Sequence, residues 1–263
     1  MKQILLVIIA LILFNLTYGQ VTDIDGKTYK TIKIGNQIWM AENLNVSHFR
    51  NGDRIPYLNK EYQWVAINER IDFRDTNAIS PGYCYYNNDS IKAKKYGKLY
   101  NWLAVNDKRG LAPIGWHIPS DSEWTVLAKY LGGYQVYKYE NNKTFNVAGK
   151  KMRTVTGWQE EETPDKNSLS YKLDQRMKLK YGATNSSGFS ALPGGFRDEG
   201  YNGFYGGFIS GKTNFMTGYS ASWWSSTKTL YQAIAIELIN YEDKIYFKEK
   251  ERLSGLSIRC IKD

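Results

Sequence analysis

Histidine and cysteine are the scarce residues, with two of each among 263. Cys84 and Cys260 lie far apart and form no Cys-x-x-Cys pair, which excludes a structural zinc site and a disulfide-dense scaffold. His48 and His117 have no helper cluster of ligands beside them in the sequence, so neither reads as a metal ligand. There is no EF-hand spacing for calcium, and no Glu-Pro-Asn, Gln-Pro-Asp or Trp-Asn-Asp triplet. The glycine-rich run from Gly194 to Gly218 opens no clear helix, which argues against a phosphate loop and for short glycine turns packed by aromatics. Acidic excess is missing too: 35 Lys and Arg outnumber 26 Asp and Glu, for a formal charge of +9. The lysines are dispersed, with no long basic run, so nothing points to nucleic acid. Apart from the N-terminus, no apolar stretch approaches the ~20 residues of a membrane span.

Aromatic residues are what the chain has in plenty. They make up 15%, with 8 Trp, 21 Tyr and 10 Phe. A hydrophobic share of 42% and a charged share of 23% are ordinary for a globular protein, which excludes disorder over most of the length.

Residues 1–19 read as an export signal. Lys2 is a short positive region, Ile4 to Phe14 is an uncharged apolar run, and Thr17 and Gly19 are small enough for a cleavage site before Gln20. No cysteine follows for a lipid anchor, so the expected product is residues 20–263, secreted or held in the cell envelope without a membrane span. An oxidising compartment leaves two states open for the cysteines: a disulfide closing a long loop, or two buried thiols.

Along the mature chain, Asp25-Gly26 and Gly35-Asn36 are turn signals within Val21–Met40, which predicts a β-hairpin or meander. Ala41–Ala78 has little periodicity and reads as mostly loop. Tyr83–Tyr86 predicts a short aromatic strand ending at Asn87-Asn88-Asp89. Tyr96–Val105 predicts a short helix from the spacing of Leu99, Trp102, Leu103 and Val105. Ser120 and Glu123 form a capping box ahead of Trp124, Leu127, Ala128 and Leu131, and Gly132-Gly133 closes that helix. The Lys- and Glu-rich stretch Tyr134–Tyr181 reads as a solvated excursion. Ala233–Leu238, Lys244–Phe247 and Leu256–Ile261 read as closing strands. This order predicts one α+β domain with two short helices and many short antiparallel strands.

Several segments carry a resemblance. They include Ile34-Gly35-Asn36-Gln37-Ile38-Trp39-Met40-Ala41-Glu42-Asn43-Leu44, Tyr96-Gly97-Lys98-Leu99-Tyr100-Asn101-Trp102, Gly115-Trp116-His117-Ile118-Pro119-Ser120, Trp223-Trp224-Ser225-Ser226-Thr227 and Ser257-Ile258-Arg259-Cys260. In this order they resemble the Fibrobacter succinogenes major paralogous domain, a family of exported bacterial proteins related to the C-type-lectin-like fold. The resemblance implies that fold over residues 20–263 and an exported role. Ala112 stands where some members have Cys, so a disulfide here would join Cys84 to Cys260, with Cα atoms about 4.4–6.8 Å apart. Gln159–Tyr181 is longer and more charged than the family pattern.

No catalytic set stands out. His117 reads as a structural histidine, Ser120 as a helix cap, and the carboxylates Asp23, Asp25, Asp89, Asp121, Asp198 and Glu199 as turn and cap residues. No cofactor is expected. Trp116, Trp124 and at least one of Trp223 and Trp224 should be core, whereas Phe204, Tyr205 and Phe208 lie between glycines and would suit a ligand-facing loop, with Arg197 and Asp198 for hydrogen bonds. The expected function is a non-enzymatic binding or adhesion module for a glycan or protein. The alternatives are an enzyme akin to the formylglycine-generating oxidases, which use a cysteine pair, and a purely structural envelope protein.

Overall fold

The computed structural model describes residues 19–64, 80–158, 172, 176, 182–198, 219–240 and 242–263. It is an α+β protein in which every pairing between named strands is antiparallel.

The chain opens with the expected meander: β1 (Gly19–Thr22), β2 (Thr28–Ile34) and β3 (Gln37–Met40). Asp23 shapes the first turn, its Oδ1 accepting from the backbone N–H of Asp25 at 2.9 Å and of Lys27 at 3.0 Å. Gly26, at φ +79°, takes the left-handed position of that turn, which a side chain would strain. In β2, Tyr29, Thr31, Ile32 and Ile34 are buried while Thr28, Lys30 and Lys33 are exposed, a near-alternation that fixes which face meets the core.

The β4 strand (Tyr83–Cys84) pairs with β5 (Leu99–Tyr100) as a separate two-stranded ribbon. Between them lies α1 (Ala93–Tyr96), and α2 (Trp102–Val105) follows, capped by the Asn101 side chain on the N–H of Ala104. The helix expected across Tyr96–Val105 is therefore shorter. Gly97 adopts φ +77°, and a Cβ there would sit 2.7 Å from the Leu44 carbonyl oxygen, so the chain turns sharply into β5. Asn87 and Asn88 form the predicted turn, both with positive φ.

After β6 (Trp116–His117) comes α3 (Asp121–Tyr130), the best match between sequence and structure. Ser120 Oγ accepts from the Glu123 N–H, and Glu123 Oε2 accepts from the Ser120 N–H at 2.8 Å. Trp124, Leu127 and Ala128 are buried on one face, and Gly132 closes the helix at φ +83°. The stretch expected to be solvated instead contains β7 (Gln135–Tyr139), β8 (Asn142–Phe145) and α4 (Ala148–Met152). All five residues of β7 are exposed, but β8 buries Thr144 and Phe145 and enters a sheet. With β9 (Ser220–Lys228), β10 (Ala233–Ile239), β11 (Ile245–Lys250) and β12 (Ile261–Lys262), the described residues form two five-stranded sheets. Their orders are β1-β2-β3-β12-β6 and β7-β8-β11-β10-β9. Four short helices, not two, are present among the described residues.

The second sheet is buried on both faces near β9 and β10. Trp223, Ile236 and Phe247 face one core cluster with Trp39, Trp124 and Phe189, whose ring centroids lie 4.7–5.9 Å apart. Trp224, Ala233 and Ala235 face a second cluster with Tyr29, Tyr100 and Ile258. Trp223 and Trp224 thus point to opposite faces, as strand neighbours must, and both are 0% exposed. Each indole finds an acceptor: Asn43 Oδ1 at 2.9 Å for Trp223 and the Tyr100 carbonyl at 2.9 Å for Trp224. Trp116 and Trp124 are buried as expected.

The cysteine pairing is corrected. Cys84 and Cys260 are both free and buried. Cys84 belongs to the ribbon and packs with Leu58, Trp64 and Leu99, whereas Cys260 precedes β12 and sits in the cluster of Tyr29 and Tyr100. The two strands belong to different sheets, and burial pushes both thiols up to about 12.

Candidate functional site

The residues expected to face a ligand are not brought to one described surface. Phe204, Tyr205 and Phe208 lie outside the described residues, as does nearly all of Gln159–Tyr181. Arg197 is built into the interior instead: it exchanges two 2.8 Å backbone hydrogen bonds with Gly255, and its guanidinium lies 5.0 Å over the Trp64 ring. Asp198 is partly buried next to it.

A different site emerges where the first sheet meets α1. A cleft of about 480 Å³ is bounded by Gln20 of β1, Lys27 and Lys30 of the first hairpin, Glu42 and Asn43 after β3, Lys94 and Lys95 of α1, Ser190, Leu192 and Arg259. That volume falls in the range of small-ligand sites, about 300–1,000 Å³. Five cationic side chains line it against one carboxylate, Glu42. None of Lys27, Lys30, Lys94, Lys95 or Arg259 forms an ion pair among the described residues. Lys30, Lys94 and Lys95 are exposed, and Lys27 is half-buried over the Tyr29 ring at 4.7 Å. Burial lowers the Lys27 pKa, although Glu42 and Asp23 pull the other way.

Arg259 forms the fixed part of the lining. It is 1% exposed. Its Nε and Nη2 donate to Asn43 Oδ1 at 3.0 and 2.8 Å, and its Nη1 donates to the carbonyls of Met40 and Phe189 at 3.2 and 2.5 Å. The guanidinium also packs 4.4 Å over the Phe189 ring. Burial pushes it down to about 9, with Glu42 opposing the shift. Asn43 is in turn oriented by donating to the Tyr96 carbonyl at 2.9 Å and to Ser257 Oγ at 3.3 Å. One asparagine therefore ties together β3, α1, β9 and the approach to β12.

Two polar constellations lie elsewhere. Lys98 is 4% exposed, donates to the Asn45 carbonyl at 3.0 Å and to Ser47 Oγ at 2.5 Å, and sits 4.4 Å over the Tyr83 ring. Burial lowers it to about 8, against the pull of Asp25 and Asp23. Asp25 meanwhile bonds His48 Nδ1 at 2.5 Å and accepts from the Ser47 N–H. His117 is tied by both nitrogens to carboxylates, Glu123 at 2.8 Å and Asp263 at 2.7 Å. Burial works against the charged imidazole, but these two bonds outweigh it and raise the pKa. His117 is thus a satisfied structural histidine, though more exposed than the sequence suggested, with 41% of its side chain open to solvent. Among the described residues, no group of three or more His, Cys, Asp or Glu is placed to hold a metal ion.

Sequence reasoning missed the cleft because its walls come from six separated segments. Lys94, Lys95 and Arg259 each look unremarkable in one dimension. The detectable signal was local: Asn43 and Arg259 both fall in segments that carried the resemblance.

No curated protein and no solved structure matches the chain. The model of the Fibrobacter succinogenes major domain matches residues 32–262, from within β2 to the end of β12, and takes in the Asn43–Arg259 centre of the cleft. The chain belongs to the Fibrobacter succinogenes major domain family.

Proposed function

We propose that this protein is an exported, non-enzymatic binding module whose ligand, a glycan or a protein, is held at the cleft. The observation that carries the reading is the 480 Å³ cleft ringed by cationic side chains that have no ion-pair partners among the described residues. Charged groups left unpaired around a concave, polar surface are poised for an external partner. Export is supported by the N-terminal sequence, and the C-type-lectin-like relation by the sequence resemblance. A glycan array probed with the exported form tests the reading, with binding and no turnover as the expected result. N-terminal sequencing of the protein from its host should find Gln20 first; an intact Met1 would overturn the export reading.

A second reading, an envelope enzyme, has one observation behind it: the contact between Ser47 Oγ and Lys98 Nζ. A lysine of lowered pKa beside a hydroxyl is one way to activate a serine. Here the ammonium faces three acceptors: a carbonyl, a hydroxyl and a ring. That arrangement favours an anchor over a base. Labelling of Ser47 by a fluorophosphonate would establish the enzymatic reading, and absence of labelling would remove it. The cysteine chemistry of the formylglycine-generating oxidases has no seat here, since Cys84 and Cys260 lie in different clusters.

A further inference from the structure

The charge and lining of the cleft specify more than the presence of a ligand. We infer that the cleft takes an acidic saccharide, one carrying carboxylate or sulfate groups, with Arg259 and Asn43 as its fixed floor and the four lysines as its adjustable rim. The inference rests on the binding-module reading and narrows it to one ligand chemistry.

Three features of the cleft argue for this class. The first is charge: five cations against Glu42 make a field that concentrates anions and repels cations. The second is the character of the remaining lining. Gln20, Asn43, Thr154 and Ser190 offer amide and hydroxyl groups that can exchange hydrogen bonds with sugar hydroxyls. Among the described residues no aromatic side chain lines the cleft, so neither a nucleobase nor a sugar face is stacked there. Recognition falls to charge and hydrogen bonds, which an acidic saccharide supplies and a nucleobase supplies less well. The third is Arg259, which lines the cleft while almost fully buried and meets no carboxylate among the described residues. Of its five N–H donors, four are bonded to Asn43 and to the carbonyls of Met40 and Phe189. All of these hydrogen-bond partners are neutral, and Glu42 acts on the guanidinium only through its field, so an anion in the cleft would add a second, closer counter-charge. The lysines, long and flexible, can follow anionic groups at varied positions on a sugar ring.

The test is isothermal titration calorimetry of the exported form with four probes: a sulfated heparin disaccharide, a short oligogalacturonate, a neutral cello-oligosaccharide, and inorganic sulfate. At least one acidic saccharide should bind, more weakly as salt rises, while the neutral one does not bind and sulfate alone binds less tightly. Lys30→Ala and Lys94→Ala should each weaken binding about fivefold with an unchanged melting temperature, because both side chains are exposed. Glu42→Gln should tighten binding about fivefold by removing the like charge. A hydrogen-bonding role for Glu42 toward a neutral sugar predicts the opposite sign. Neutral saccharides binding as well as acidic ones would overturn the acidic ligand and leave the binding module standing. Turnover of a bound acidic saccharide would overturn the non-enzymatic reading and leave the ligand class standing. Affinity unchanged in all three variants would place the ligand outside the cleft and overturn the inference.

Discussion

Removing the Asn43 side chain should be among the most damaging single changes in this protein. Its Oδ1 is shared by Arg259 Nε, Arg259 Nη2 and Trp223 Nε1, at 3.0, 2.8 and 2.9 Å. Asn43→Ala leaves a buried guanidinium with only its Nη1 bonds, to Met40 and Phe189, and leaves a buried indole N–H with no acceptor. Water does not replace the lost acceptor easily, because Arg259 and Trp223 are 1% and 0% exposed. Breaking one side of a buried charged network costs about 3–5 kcal/mol, so we expect a loss of about 4 kcal/mol. For a protein of this size that corresponds to a fall in melting temperature of about 10–15 °C. Urea unfolding followed by tryptophan fluorescence should show the midpoint shift at a constant slope. The double variant Asn43→Leu with Arg259→Met removes the charge together with its partner, and should recover most of the loss. A single-variant loss below about 1 kcal/mol, or a double variant no better than the single, would refute the claim that Asn43 exists to satisfy Arg259.

Three further outcomes are expected. The raised His117 pKa adds stability that is fully present below the unfolded value of 6.5 and is lost as pH rises through the folded value. Melting temperature should therefore decline from pH 6.5 toward 8 in the parent protein, and this component should vanish in His117→Asn; identical profiles would show that the Glu123 and Asp263 bonds contribute nothing. A thiol reagent should count no reactive cysteine in the native protein and two after unfolding without reductant, since both thiols are buried and held near 12; no thiols after unfolding would mean a disulfide. Trp124→Ala should cost about 3–5 kcal/mol, because its ring meets Trp39, Phe189 and Trp223 within 6 Å, whereas Ser120→Ala should cost only about 1 kcal/mol through the lost cap.

How far the sequence could be read depended on the range of the interactions. The α3 helix was legible to its termini, since the Ser120–Glu123 box and Gly132 act within one turn. The meander was legible from Gly26 and Gly35 for the same reason. The β7–β8 hairpin was not: Lys138, Lys143 and Glu140 hide a strand pair whose outer member is wholly exposed and whose inner member is held by β11, a hundred residues on. Gly97 was quoted for its family motif, but its role as a breaker depends on Leu44, which approaches from a different segment. From the sequence, at least one of Trp223 and Trp224 was legible as core, but burial of both required knowing that the sheet is covered on each side. The cleft is the extreme case, being made only by the assembly of distant segments.

The position of β12 also sets an order of events. Residues 261–262 lie between β3 and β6, and Cys260 accepts from the Met40 N–H, so the first sheet is closed by its most distant segment. A growing chain holds β1, β2 and β3 from early on, but their neighbour is synthesised more than 200 residues later. Until then the edge of β3 has no strand to pair with, and Arg259 has not reached Asn43. Pairings that span most of the chain close slowly, because the loop entropy must be overcome before any contact stabilises them. The cleft, whose floor includes Arg259, is therefore assembled only after nearly the whole chain has been made.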